Sequence, residues 1–255
     1  MQLSTHQLTV GYGKTTILDN LSVNFPDNKI TALIGPNGCG KSTLLKSLAR
    51  LLPAQQGKVL LNNKNIWQYS ANQFSQQLAI LPQHHIIPEG ISVKALISYG
   101  RSPYLNLWGK LKKEDHEKVE EAMEITQLTP LADRLVTDLS GGQKQRAFLA
   151  MALAQDAPIL LLDEPTTYLD LNHQTELMNI MQSEKTKGKT IITVLHDLNQ
   201  ASRYCDHLIV LKQGKLMAEG TPDHVMTTNL LEQVFSLHGE IHQDPISHTP
   251  MFISY

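Results

Sequence analysis

One short stretch of the chain has the residue types and spacing needed to hold a phosphate group. Gly35, Gly40, Lys41 and Ser42 occupy every fixed position of the pattern G-x-x-x-x-G-K-[ST]. Glycines let successive backbone N–H groups turn toward phosphate oxygens, a lysine neutralises the β and γ phosphates, and a serine hydroxyl can bind Mg²⁺. We therefore predict a nucleoside triphosphate site, with ATP as the expected nucleotide, formed by Gly35, Pro36, Asn37, Gly38, Cys39, Gly40, Lys41, Ser42 and Thr43.

The two cysteines of the chain lie in unlike contexts. Cys39 lies in the phosphate loop, next to a predicted helix N-terminus whose positive end favours a thiolate. We therefore expect the Cys39 thiol to be reactive and bound ATP to protect it. Cys205 follows a helical stretch, so two free thiols are expected rather than a disulfide.

A second group of candidate residues follows apolar runs typical of buried parallel strands. Asp163 and Glu164 come at the end of Ile159–Asp163, and His196 follows Thr190–Leu195. Because the carboxyl ends of such strands expose side chains beside a phosphate loop, we expect Asp163 to bind Mg²⁺ and Glu164 to activate water as general base. His196 is expected to hydrogen-bond the γ-phosphate or Glu164, although a lone histidine is more often structural.

Two interpretations apply to Ser140-Gly141-Gly142-Gln143, which precedes a helix at Lys144–Ala154. The Ser140 hydroxyl could simply cap the helix by accepting backbone N–H groups. The same helix N-terminus with its glycines could instead bind a second phosphate group.

The elements that must position these residues follow from apolar periodicity. The pattern predicts an α/β fold of the phosphate-loop NTPase type, with a mainly parallel sheet, an N-terminal antiparallel β portion and a helical insertion at about 84–157. This domain would span 1–225, and 226–255 would be a short helix and an irregular tail. The predicted strands are Leu3–Val10, Ile17–Phe25, Ile30–Ile34, Gly57–Leu61, Leu78–Gln83, Ile159–Asp163, Thr190–Leu195, His207–Leu211 and Lys215–Ala218. The predicted helices are Ser42–Leu48, Asn72–Gln77, Ser92–Tyr99, Lys113–Thr126, Gly141–Ala154 and His173–Ser183.

Composition restricts the function classes. The chain has 255 residues, 41% of them hydrophobic, and a formal net charge of −2, so it can bury a full core but carries no general basic field. Nucleic acid is therefore not expected as a partner. No apolar run approaches the roughly 18 residues of a membrane span, and no leader is expected, which favours a cytosolic chain. The C-terminal histidines lack metal-ligand spacing and are expected to be surface residues: His224, His238, His242 and His248.

Taken together and in this order, these motifs resemble those of the ATP-binding-cassette (ABC) ATPases. The resemblance extends over nearly the whole chain and rests on Gly35–Ser42, Gln83, Leu139–Gln143, Asp163-Glu164, Asp170 and His196. The family implies that Tyr12, otherwise an ordinary packing residue, stacks on adenine. Gln83 would link the γ-phosphate and Mg²⁺ to a membrane partner.

The resemblance also implies an arrangement of two subunits. In the family, residues equivalent to Ser140–Gln143 contact the ATP of a second subunit, so a homodimer with two shared sites is expected. Asp170 would lie at the subunit interface, and His196 would be the γ-phosphate switch. Members often have Ser-Ala-Leu-Asp where this chain has Thr167-Tyr168-Leu169-Asp170. The change keeps Asp170 and leaves the role of Tyr168 open.

Other segments resemble the ATPases of bacterial importers for iron chelates, cobalamin and haem. These segments are Tyr99–Tyr104 and Leu195–Ala201, and Leu81–His85, Leu107–Gly109 and Ala201–Asp206 look most like the ATPases of ferric-citrate importers. The resemblance implies membrane permease subunits as direct partners and a substrate-binding protein as an indirect one. It also implies a peripheral position on the cytoplasmic face of a bacterial inner membrane.

The sequence gives less support to three competing functions. A phosphate-loop kinase would not need a second phosphate site such as Ser140–Gln143. Chromosome and repair ATPases place a long coiled coil between the phosphate loop and that motif, but here only about a hundred residues without sustained heptads separate Lys41 from Ser140. An exporter ATPase lacking a fused membrane domain remains an alternative to an importer.

Overall fold

The computed structural model describes residues 2–84, 86–87, 89–105, 109–167 and 169–255. The chain forms two compact units: one contains the residues up to Gln68 together with Glu184–Tyr255, and the other contains Tyr69–Ser183. In chain order the strands are β1 Leu3–Tyr12, β2 Thr15–Leu21, β3 Asn24–Phe25, β4 Ile30–Ile34, β5 Gln56–Leu61, β6 Lys64–Asn65, β7 Leu78–Leu81, β8 Ile159–Leu162, β9 Thr190–Val194, β10 His207–Lys212, β11 Lys215–Gly220, β12 Gly239–Gln243 and β13 Pro250–Ser254. The α-helices are α1 Lys41–Leu48, α2 Ala71–Ser75, α3 Val93–Ser98, α4 Lys113–Ile125, α5 Gly141–Ala154, α6 Leu171–Thr186, α7 Leu198–Tyr204, α8 Pro222–Val225 and α9 Thr228–Phe235.

The first unit begins with an antiparallel sheet in the order β2-β1-β5-β6, with β3 also paired to β1. This confirms the antiparallel N-terminal portion. The single strand predicted over Ile17–Phe25 is divided into β2 and β3, because the Thr5 hydroxyl donates to Leu21 O and accepts from Val23 N, both at 3.0 Å. A buried side chain thus replaces ladder hydrogen bonds at the interruption.

The same unit contains parallel strands that lead to the phosphate loop. β4 pairs in parallel with β10 on one side and β9 on the other, and β10 forms an antiparallel hairpin with β11. Every residue of β4 and β9 is buried, as expected for strands covered on both faces. β4 ends at Ile34, directly before the phosphate loop and α1.

The second unit is mainly helical and contains one parallel pair, β7 with β8. In α4, Val119, Ala122 and Met123 are buried, so this helix packs one apolar face into the core. α3 and α4 both pack against α5, the helix that begins after Ser140. This unit therefore positions both the strand-end carboxylates and the start of α5.

The C-terminal residues differ from the predicted irregular tail. After two helices, α8 and α9, the strands β12 and β13 form an antiparallel hairpin with Gly239 opposite Ser254 and Gln243 opposite Pro250. The hairpin was missed because its strands are short, because β12 is largely polar, and because contacts with α7, distant in sequence, hold the hairpin in place.

Several sequence predictions are not decided by these elements. The proposed domain limits, 1–225 with an insertion at 84–157 and 226–255, do not coincide with the limits of the two units and stay predictions. Predictions that involve His85, Leu107, Trp108 and Tyr168 lie outside the described residues. In the described part of the chain, no helix has both the length and the hydropathy required to cross a bilayer.

Candidate nucleotide site

The phosphate loop connects β4 to α1 through backbone conformations that suit glycine. Gly35 has φ +150°, and a Cβ built there would lie 2.1 Å from Leu211 O, so a larger residue would push the loop away from β10. Gly40 has φ +109° and is the N-cap of α1, without a side-chain cap. The first backbone N–H groups of α1 are therefore left to bind an anion, and the loop fits a phosphate group.

Lys41 is folded back over this loop. Its ammonium donates to Gly35 O at 2.7 Å and to Pro36 O at 3.1 Å, and the residue is only 5% exposed. Burial of an ammonium is costly unless acceptors satisfy it, and the two carbonyls meet this need. A phosphate offers stronger, charged acceptors for the same group.

The Cys39 thiol is buried, and its pKa is shifted in the direction opposite to the one expected. Its side chain is buried, with Sγ 4.0 Å from Lys41 Nζ. Burial raises the pKa of the Cys39 thiol, and this outweighs the opposing effect of the Lys41 charge. The prediction of a reactive thiolate is therefore wrong for the chain in this state, because the thiol packs into the loop instead of facing solvent.

Gln83 and Glu164 meet in the second unit although 81 residues separate them. Parallel pairing places Leu81 opposite Leu162, so the residues after β7 and β8 emerge at the same edge. There Gln83 Nε2 donates to Glu164 Oε2 at 2.7 Å. The sequence predicted both residues as functional and placed Glu164 at a strand end, but it predicted neither that Gln83 lies at the same edge nor their direct hydrogen bond.

Asp163 and Thr167 lie beside Glu164 at the end of β8. Asp163 is 2% exposed, and its backbone N–H donates to Leu81 O at 2.9 Å, which continues the strand pairing. Glu164 has φ +53°, a left-handed conformation that is uncommon outside glycine and clusters at functional sites. Thr167 Oγ1 also lies 3.4 Å from Glu164 Oε2, a contact that sequence reasoning missed. Its signal was a hydroxyl three residues after the carboxylate.

Ser140 and Gln143 cap α5 reciprocally. Gln143 N donates to Ser140 Oγ at 3.3 Å, and Ser140 N donates to Gln143 Oε1 at 3.0 Å. The structure thus contains the helix cap that was one of the two interpretations of this motif. Gly141 is exposed and a Cβ built there would meet no atom within 4 Å, so the start of the helix is open to a ligand.

The remaining predicted site residues lie at element ends. Tyr12 is the last residue of β1 and is 51% exposed, as a stacking platform requires. His196 is exposed, two residues after β9. Asp170 accepts from His173 N at 2.9 Å and lies 2.8 Å from His173 Nδ1, and the His173 backbone N–H is the main cause that lowers the pKa of Asp170. The structure therefore assembles Gly35–Thr43 in one unit and the Gln83 and Glu164 pair in the other.

The family follows from comparison with known proteins. The model of the family described as ABC transporter matches residues 18–167. The chain belongs to the ABC transporter family. Among relatives, the ferric enterobactin transport ATP-binding protein FepC of Escherichia coli K12 is 46% identical over 253 residues, covering 99% of this chain and 93% of FepC. The probable siderophore transport system ATP-binding protein YusV of Bacillus subtilis 168 is 47% identical over 254 residues, covering 99% of this chain and 92% of YusV.

Solved structures share the fold. An inward-facing metal-chelate type ABC transporter gives a TM-score of 0.83 at 29% identity, covering 99% of this chain and 96% of that one. A dimeric bacterial ABC transporter cassette gives a TM-score of 0.77 at 25% identity, covering 86% of this chain and 98% of that one. The predicted fold class, ABC resemblance, ATPase activity and ATP with Mg²⁺ as cofactors are thereby confirmed.

Proposed function

We propose that this ABC ATPase energises a bacterial importer for iron chelates, and that ferric citrate is its transported chelate. Support for an iron chelate comes from relatives named for ferric enterobactin, siderophore and iron(3+)-hydroxamate transport. Support for citrate comes from the finer resemblance in Leu81–His85 and Ala201–Asp206. The permease and its binding protein would select the solute, and this chain would supply the energy.

The proposed roles of the nucleotide residues follow from their chemistry. The backbone N–H groups of Gly35–Thr43, except at Pro36, which has none, and the Lys41 ammonium bind phosphate oxygens, and Ser42, Gln83 and Asp163 would hold Mg²⁺. Bound Mg²⁺ supplies positive charge to the phosphate oxygens during phosphoryl transfer. Tyr12 stacks on the adenine ring.

The observation that carries the catalytic proposal is the hydrogen bond between Gln83 and Glu164. A carboxylate at the end of a buried strand can take a proton from the attacking water, and the Gln83 amide holds the Glu164 oxygen in one orientation. Gln83 also lies on the segment expected to face the permease. A shift of that segment would therefore move a partner of the base, which couples transport to hydrolysis.

Two copies of the chain are proposed to act as a homodimer. Ser140, Gly141, Gly142 and Gln143 contact the nucleotide held by the facing copy, and Asp170 lies between the copies. His196 contacts the γ-phosphate. The dimer is proposed to sit peripherally on the cytoplasmic face of the inner membrane, bound to the permease subunits. The open surface at Gly141 supports this arrangement, because a facing molecule can approach it.

Reconstitution tests the proposal. The full chain and its permease are placed in proteoliposomes with Mg-ATP and a binding protein loaded with ferric citrate, a ferric siderophore, cobalamin or haem. We expect ferric citrate to stimulate ATP hydrolysis and to be carried from the side of the membrane that holds the binding protein to the side on which the ATPase lies. Stimulation by a different ferric chelate would keep the importer and reject citrate, whereas stimulation by cobalamin or haem alone would reject iron-chelate import.

Two variants make the test specific. Glu164→Gln should abolish uptake of every solute, because the amide keeps shape and hydrogen bonding but cannot accept a proton. Glu124→Gln, at an exposed position of α4, is the matched control and should transport at the unmodified rate. Unchanged uptake with Glu164→Gln would contradict the catalytic part of the proposal.

A further inference from the structure

The short helix α7 begins directly after His196. Asp197 is its N-cap, and the Asp197 Oδ1 atom accepts from Asn199 N at 2.8 Å and from Gln200 N at 2.9 Å. One residue thus separates the imidazole-bearing position from the first residue of the helix. A helix of seven residues is too short to be stable by itself, so its position depends on what it packs against.

The C-terminal hairpin holds this helix through its backbone. Asn199 Oδ1 accepts from Phe252 N at 2.8 Å, and Asn199 Nδ2 donates to Phe252 O at 3.0 Å. One amide side chain therefore pairs with β13 as a neighbouring strand residue would. One turn later, Ser202 Oγ donates to Pro250 O at 2.6 Å, and Ser202 is buried.

A third contact joins the end of α7 to the turn of the hairpin. Arg203 Nε donates to Asp244 Oδ2 at 3.0 Å, and a second guanidinium nitrogen bonds the same oxygen. Asp244 is 4% exposed, and its other oxygen accepts from Ile246 N at 2.9 Å and Ser247 N at 3.0 Å. The backbone N–H of Ser247 and then the Arg203 guanidinium lower the pKa of Asp244, so this contact stays charged at neutral pH.

We name these three contacts the C-terminal clasp: Asn199 with Phe252, Ser202 with Pro250, and Arg203 with Asp244. We propose that the clasp positions His196 for ATP hydrolysis, and that Asn199 and Ser202 are positioning residues that act through it. The inference rests on the proposed role of His196 at the γ-phosphate. Three side chains of α7 form hydrogen bonds with the C-terminal hairpin, which lies outside the strands and loop that bind nucleotide. An N-cap alone is enough to begin a helix, so these additional contacts serve to fix the position of α7.

The test compares kcat and KM of ATP hydrolysis for the full chain and its variants. Asn199→Ala removes both hydrogen bonds to Phe252 and should lower kcat about fivefold while KM for ATP stays unchanged. Ser202→Ala removes one hydrogen bond and should lower kcat about twofold, and it serves if Asn199→Ala does not fold. His242→Ala is the matched control on the same hairpin, since its imidazole pairs with Glu240, and it should keep the unmodified kcat.

A double variant separates positioning from general stability. If the clasp acts through His196, Asn199→Ala should have no further effect on kcat in a His196→Ala background. Multiplicative losses in the double variant, or an unchanged kcat in both clasp variants, would overturn the inference while leaving the role of His196 intact. An unchanged kcat in His196→Ala alone would instead reject the proposed role of His196, and the inference with it.

Discussion

Replacing Arg101 by methionine should destabilise the helical unit strongly. Arg101 is 6% exposed and donates to Asp115 Oδ1 from Nε and Nη2, both at 2.9 Å. Its Nη1 donates to Ala154 O at 2.9 Å and Gln155 O at 3.2 Å, at the end of α5. The guanidinium also lies 3.8 Å from the Tyr104 ring centroid. Through this one side chain, the turn Tyr99–Tyr104 is bonded both to α4 and to the end of α5.

The magnitude follows from what the substitution leaves behind. Asp115 is 2% exposed, so its carboxylate would be buried without its cation, and the two α5 carbonyls would lose their donor. Removing one partner of a buried pair costs about 3–5 kcal/mol in unfolding free energy. The matched control Lys94→Met removes an exposed pair with Glu120, with the two side chains 43% and 60% exposed, and should cost less than about 1 kcal/mol.

Urea unfolding followed by far-ultraviolet circular dichroism measures these differences. The double variant Arg101→Met with Asp115→Leu should recover part of the loss, because no unpaired charge remains. If Arg101→Met lowers the free energy of unfolding by less than about 1 kcal/mol, this pair does not stabilise the packing of α4 on α5 and the reasoning is refuted.

The same pair predicts a pH dependence. Burial raises the pKa of Asp115, but the Lys112 backbone N–H and the Arg101 guanidinium outweigh it, so the net shift is downward. The folded chain therefore binds this proton less tightly than the unfolded chain, whose carboxyl has a pKa of about 4. The stabilisation should be complete above that pH and should disappear as acid titrates the folded carboxyl. Asp115→Asn should lack this part of the acid sensitivity.

Three further results are expected. Because burial raises the pKa of Cys39, iodoacetamide should modify the native thiol slowly at neutral pH and faster as pH rises; rapid modification at pH 7 would contradict this. Gly35→Ala should weaken Mg-ATP binding at least about tenfold by displacing the loop from β10, and an unmodified affinity in an equilibrium binding assay would contradict this. Ser140→Ala should cost about 1 kcal/mol of unfolding free energy through the lost cap, while Ser140→Asn should keep stability yet slow hydrolysis; unimpaired hydrolysis would leave Ser140 with the cap alone.

The sequence predicted those parts of the fold and site that depend on local pattern. β4 was placed at its observed limits because a continuous apolar run ends at a glycine loop, and α5 was placed because a capping serine precedes it. The edge holding Asp163 and Glu164 was predicted because the carboxyl ends of parallel strands meet at one edge of a sheet.

What could not be predicted depends on contacts between distant residues. The Cys39 thiol is buried by tertiary packing, and this outweighs the local helix end that suggested a thiolate. The hairpin of β12 and β13 depends on Asn199 and Arg203, which are about fifty and forty residues away from their partners. The buried pair of Arg101 and Asp115 has no sequence signal beyond two opposite charges in a helical region.

Single-turnover hydrolysis by Glu164→Gln tests the central claim most directly. The protein is saturated with radiolabelled Mg-ATP, equilibrium binding is measured, and acid-quenched samples report phosphate formation. We predict unmodified affinity for ATP and a rate lower by at least about 10²-fold, since the amide cannot take the proton of the attacking water. Hydrolysis at the unmodified rate with ATP fully bound would contradict the assignment of Glu164 as the base and the function built on its hydrogen bond with Gln83.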